Sequence, residues 1–163
     1  MRLRTRTAVT LAAAASLIGL VGLAPPASAS ETSQGRYCTV VVERVKPGEK
    51  ASRVKSRTCS DDSSTATRSS AGTLLMTWYQ HARFGGDMTH VYGDYGPCDG
   101  SGYLLGTGLS RYMISSFEAY NNCDGQQAVL NDGRTTFYYG SATRYVGDRA
   151  DDDIAYFKVR DAL

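Results

Sequence analysis

Tyr79-Gln80-His81-Ala82-Arg83-Phe84-Gly85-Gly86 is the stretch that decides the fold. An aromatic, four residues, a second aromatic, one residue and a glycine is the spacing of a folded hairpin corner. The two rings stack where the chain turns back, and Gly86 takes a backbone conformation that a side chain would obstruct. A serine-rich strand, Met113-Ile114-Ser115-Ser116-Phe117, follows about thirty residues later and is where such a unit closes.

Outward from this corner, everything after Thr73 reads as strands and turns. Segments 74–81, 88–92, 103–105, 113–120, 128–130, 135–139, 143–146 and 154–159 are short and rich in β-branched or aromatic residues. Gly, Asp and Asn turn signals separate them at sandwich-like spacing. Eight strands in two groups of four fit two Greek keys. The second group is a degenerate copy of the first. Asp153-Ile154-Ala155-Tyr156-Phe157 aligns with residues 113–117, and Tyr138-Tyr139-Gly140 aligns with Phe84-Gly85-Gly86. The degeneracy shows at Gly133, five residues before Tyr138, where an aromatic is due.

These motifs resemble the βγ-crystallin superfamily, over roughly residues 74–159. The resemblance implies an all-β, Greek-key β-sandwich of two βγ-crystallin-like units, with Tyr79, Phe84 and Gly86 as the fold motif. Bacterial relatives are mostly small secreted proteins, and many bind calcium. Their pattern is two Asn/Asp, two variable residues, then Ser/Thr and Ser in both repeats. Here it is split. The first repeat keeps Ser115 and Ser116 but has Arg111 and Tyr112 at the acidic positions. The second keeps Asp151 and Asp152 but has Ala155 and Tyr156 at the hydroxyl positions. Calcium takes several oxygen ligands. What survives is at most one weak calcium site from Ser115, Asp151 and Asp152, and a solvated acidic turn is the plainer reading of the aspartates. No other cofactor is implied.

The N-terminus reads as a leader. Arg2, Arg4 and Arg6 precede an apolar run over residues 8–23, then Pro25-Pro26 and the small residues Ala27-Ser28-Ala29. That is the pattern of a signal peptide, and the run is short for a membrane span. The expectation is a signal peptide over 1–29, a secreted, extracellular mature chain from Ser30, and no contact with a membrane after cleavage. Without the three leader arginines, 15 basic residues face 16 acidic ones, against +2 for the whole chain. Nucleic-acid binding loses its electrostatic support.

Four cysteines in a secreted chain of this size imply two disulfides, with three connectivities open. Segments 40–45 and 53–57 read as strands around Lys46-Pro47-Gly48-Glu49, where Pro presets φ and Gly supplies a positive φ. Cys38 and Cys59 are equidistant from the middle of that turn and would face each other in a hairpin. The pairing expected is Cys38–Cys59 and Cys98–Cys123, each contributing about 3 kcal/mol; a bridge between the two parts is the alternative. Residues 30–72 thus form an N-terminal disulfide-bridged β-hairpin segment and linker, and 73–163 the βγ-crystallin-like domain. Within the linker, Asp61 or Asp62 could cap a short helix, or the segment is a flexible tether. The hairpin could cover an edge strand of the sandwich.

Catalytic residues do not emerge. His81 falls inside the corner motif and His90 on a strand; neither accompanies a nucleophile motif, and the cysteines are structural. Asp87, Asp94, Asp99 and Glu118 lack the context of a catalytic pair. The reading is a non-enzymatic, monomeric binding or structural protein. The alternative is a peptidase inhibitor of the same fold, with an extracellular protease or another secreted protein as partner. The loop over residues 93–102, tied by Cys98 and Pro97, is the candidate contact.

Overall fold

In a computed structural model the chain is described over residues 37–66, 72–110 and 114–162. The leader expected over residues 1–29, residues 67–71 of the linker, and Arg111, Tyr112 and Met113 lie outside the described residues. The Lys46–Glu49 turn forms as its residues dictate: the Glu49 N–H donates to the Lys46 carbonyl at 3.0 Å, with Gly48 at φ +86°. It joins β1 (Tyr37–Val42) to β2 (Val54–Ser60), and Cys38 stands directly opposite Cys59 in the register. Both disulfides are formed, Cys38–Cys59 and Cys98–Cys123, with Cα atoms 4.0 and 5.0 Å apart. The short helix α1 (Ser63–Ala66) follows, and the Asp62 carboxylate accepts the Ser64 N–H at 2.8 Å as its cap.

The remaining strands are β3 (Thr73–His81), β4 (Gly85–Gly93), β5 (Tyr103–Gly106), β6 (Ser116–Ala119), β7 (Gly125–Leu130), β8 (Thr136–Tyr139), β9 (Ala142–Thr143) and β10 (Ile154–Arg160). They build two sheets, ordered β2-β1-β4-β3-β6-β9 and β5-β10-β7-β8. The topology refines the expectation of two groups of four. Each unit contributes a hairpin and its last strand to one sheet: β3, β4 and β6 in the first, β7, β8 and β10 in the second. The third strand of each unit crosses over, so β5 pairs with β10 and β9 pairs with β6. The N-terminal hairpin then joins the first sheet, with β1 running parallel to β4.

The core lies where the inner faces meet. Phe117 and Phe157, which occupy equivalent positions in the two units, touch across the sandwich with ring centroids 5.1 Å apart. Trp78 stacks on Phe157 at 5.9 Å, and Tyr139 meets Phe117 edge-on at 5.5 Å. Leu75, Ile114, Leu130 and Ile154 are fully buried around them. Each such side chain stabilises the fold by about 1.5–3 kcal/mol through burial alone.

The β4 edge is closed only by β1, so the hairpin shields a row of backbone donors and acceptors from other chains. Deleting residues 30–72 is expected to produce self-association, read as a dimer or larger species in sedimentation velocity. A truncated chain that stays monomeric and soluble would refute this role.

Candidate functional site

Two positive-φ residues form the corner after β3: Arg83 at 61° and Phe84 at 64°, neither of them glycine. Such backbone costs on the order of 1–3 kcal/mol per residue and persists only when neighbours hold it. Ser116 of β6 is the holder. Its hydroxyl donates to the His81 carbonyl at 2.5 Å and accepts the Phe84 N–H at 3.0 Å. The Arg83 N–H donates to the Arg144 carbonyl at 2.7 Å. The Tyr79 and Phe84 rings close the corner at 5.4 Å, and the Arg144 guanidinium lies 5.9 Å from the Phe84 ring centre. Gly86 sits at φ +79°, where an added Cβ would come within 2.7 Å of the His81 ring. Sequence placed Tyr79, Phe84 and Gly86; it left unsaid that Ser116 ties both sides of the turn.

The corner and the exchanged third strands together decide the type. The fold is of βγ-crystallin type. A solved βγ-crystallin domain from Clostridium beijerinckii, a double mutant, is similar to this chain at 18% identity with a TM-score of 0.41, covering 55% of this chain and all of that one. Clostrillin, solved as a double mutant in complex with nickel, is similar at 18% identity and a TM-score of 0.41, covering 54% of this chain and 99% of that one. No family model and no curated protein matches the chain.

Against this βγ-crystallin-type corner lie the residues expected to hold calcium. The Ser115 hydroxyl donates to the Gln80 carbonyl at 2.8 Å, and the Ser115 carbonyl accepts the Val146 N–H at 3.0 Å. The turn that follows brings round the aspartates: the Asp151 N–H donates to the Gly147 carbonyl at 3.0 Å. Asp151 Oδ1 is buried without a hydrogen-bond partner among the described residues, while its Oδ2 lies 3.5 Å from the Tyr145 hydroxyl. Asp152 stands at φ 54°; partial desolvation and the neighbouring Asp151 raise its pKa, and His81 draws it back down. The structure therefore sets Asp151 beside Asp152, and both Ser115 and Asp152 against the Gln80–His81 corner. Two carboxylates and one hydroxyl are fewer oxygens than calcium takes, so backbone carbonyls would complete any shell. Among the described residues, no three of His, Cys, Asp and Glu cluster to hold a metal. Arg111 falls outside the described residues.

A second candidate surface surrounds the loop over residues 93–102. A cleft of about 880 Å³ opens between this loop and the β1–β2 turn, with Arg44, Tyr95, Tyr103 and Lys158 among its walls. The loop is braced from several directions. The Asp94 N–H donates to the Val42 carbonyl at 3.0 Å, and the Cys98 N–H to the Asn121 carbonyl at 3.0 Å. The Tyr103 hydroxyl donates to the Gly96 carbonyl at 2.9 Å. Asp99 accepts the Ser101 and Gly102 N–H groups at 2.9 and 3.0 Å and pairs with Arg44. Those donors hold the Asp99 carboxyl below its usual pKa, the Gly102 N–H foremost. At the tip Tyr95 is 70% exposed, with the Arg44 guanidinium 4.7 Å from its ring centre.

The histidines sit apart. His81 is exposed in the corner; His90 is half-buried, bonded through Nδ1 to the Thr77 hydroxyl at 2.9 Å, and its pKa is lowered by burial. Glu118 is taken up by two phenols, accepting from Tyr79 at 2.7 Å and Tyr120 at 2.9 Å.

Replacing Ser116 by Ala removes the partner of both the Phe84 N–H and the His81 carbonyl in a partly buried corner. The expected loss is about 0.5–1.5 kcal/mol for each hydrogen bond removed, read as a lowered urea midpoint with unchanged slope. A variant as stable as the parent would show that the corner holds without the hydroxyl.

Proposed function

We propose that this is a secreted, non-enzymatic binding protein whose contact element is the loop over residues 93–102. The observation that carries the reading is the bracing of that loop around an exposed Tyr95. A loop already held in one conformation loses little ordering entropy when it docks, which is where binding elements gain affinity. Tyrosine supplies contact area with few rotatable bonds, and Arg44 pins the ring over the cleft. A non-enzymatic role is supported by the settings of the two histidines and of Glu118, all engaged in structural contacts or exposed in a turn.

Pre-ordering can be measured directly. With disulfides intact, chymotrypsin is expected to leave the Tyr95–Gly96 bond uncut despite its exposure, and to cleave it readily once Cys98–Cys123 is reduced. Equal rates in the two forms would remove the loop from the proposal.

The same bracing favours a peptidase inhibitor as the second reading, since an enzyme cleft is one partner a rigid loop suits. Inhibition of a thermolysin-like or subtilisin-like peptidase at micromolar protein, weakened about tenfold by Tyr95→Ala, is the expected result. Undiminished peptidase activity discards the inhibitor and leaves the broader binding role.

One calcium ion at Ser115, Asp151 and Asp152 belongs to the same proposal, supported by the unpartnered Asp151 oxygen. A carboxyl whose folded pKa is raised adds stability below the unfolded value near 3.8 and loses it as pH rises through the folded one. A bound cation reverses that penalty, because it favours the ionised form. Calcium should therefore raise Tm more at pH 7 than at pH 4. No heat on titration and no change in Tm would eliminate the ion.

A further inference from the structure

Six strands face four, and the second sheet ends at β5 while β1 and β2 extend the first sheet past β4. Directly opposed residues on paired strands project to one side of a sheet. The register places Val40 opposite Arg57 on β2 and opposite Val91 on β4, so these three share the inner face. Ser52 bridges the overhang to β5: its N–H donates to the Leu104 carbonyl at 2.8 Å and its hydroxyl accepts the Leu104 N–H at 3.1 Å. Between them remains a cavity of about 250 Å³, walled by Val40, Val54, Val91, Leu105 and Trp78, with Arg57 among its lining. At one part of the wall the Thr89 and Ser110 hydroxyls lie 3.4 Å apart.

Arg57 is out of keeping with that wall. An inner-face position opposite a valine calls for an apolar side chain. Among the described residues the guanidinium meets only the disulfide, Nε 3.5 Å from Cys59 Sγ and Nη2 3.7 Å from Cys38 Sγ, and has no carboxylate partner. Burial presses its pKa below the usual arginine value. Trp78 belongs to the same wall, and its indole N–H is buried with no acceptor among the described residues. A partly desolvated cation, an unmet donor and a largely apolar lining are together complementary to one chemistry: an anion on an apolar body.

We propose that this inter-sheet cavity binds a small apolar carboxylate of the medium-chain fatty-acid class, its carboxylate on Arg57 and its chain among Val40, Val54 and Val91. A planar guanidinium offers a carboxylate two parallel hydrogen bonds, roughly twice as strong as neutral ones. At roughly 30 Å³ per water-sized group, the cavity accommodates a chain of about eight groups. An inward-facing charge on an edge strand also discourages pairing with other chains, and the experiment separates that role from ligand binding.

Trp78 is the single tryptophan of the chain and so reports on the cavity directly. Octanoate is expected to change its emission saturably, with n-octanol binding at least about tenfold more weakly. Arg57→Met keeps the packing and removes the charge; it should weaken octanoate about tenfold and leave octanol unchanged, while Arg57→Lys falls between. No saturable change up to roughly 1 mM octanoate, or octanol binding as tightly as octanoate, overturns the proposal on the natural chain alone. Undiminished octanoate binding by Arg57→Met overturns it too, and assigns Arg57 to guarding the β2 edge.

Discussion

One hydroxyl holds the first unit together. Ser116 reaches from β6 to both sides of the turn between β3 and β4, and without it Arg83 and Phe84 would relax from their left-handed conformations. That conformation turns the chain sharply enough to put the Phe84 ring on Tyr79 and to start β4 in register with β3. A side chain on the fourth strand of the unit thus fixes a local backbone choice, and the local choice fixes the hairpin. The second unit has Tyr156 where the first has Ser116, so no serine hydroxyl stands at the equivalent place to clamp its corner.

The unequal size of the sheets shapes the rest of the surface. The N-terminal hairpin satisfies the backbone of β4 and at the same time pushes the first sheet beyond the reach of the second. One end of this overhang becomes the cleft beside Tyr95, and its inner face becomes the cavity walled by Arg57. Both features belong to the appended hairpin as much as to the sandwich. Disulfides sit at these two places: Cys38–Cys59 spans the overhang itself, and Cys98–Cys123 anchors the loop above the cleft.

The corner's place was legible because ring spacing and one glycine are local signals, whereas the Ser116 clamp that holds it comes from a strand distant in sequence. The Cys38–Cys59 pairing was legible for the same reason, since a Pro-Gly turn sets a hairpin's centre. Strand ends were less so; β1 begins at Tyr37 and stops at Val42, whereas the sequence reading puts the strand at residues 40–45, and a bulge between Val41 and Val42 shifts the pairing with β2. Third-strand exchange left no trace in composition, as β5 and β9 are short and read alike whichever sheet they join. The cavity was hidden most completely. Whether Arg57 faces inward or outward depends on a register that a single residue's slip would invert.

Exchange of the third strands also bears on how such a molecule can be divided. Cut between β6 and β7, each half would lack one strand of its own sheet and carry one that belongs to the other. Neither fragment could bury Phe117 or Phe157 except against the missing partner. The smallest self-sufficient body is therefore the fused pair, and an isolated half completes itself only by embracing a second copy.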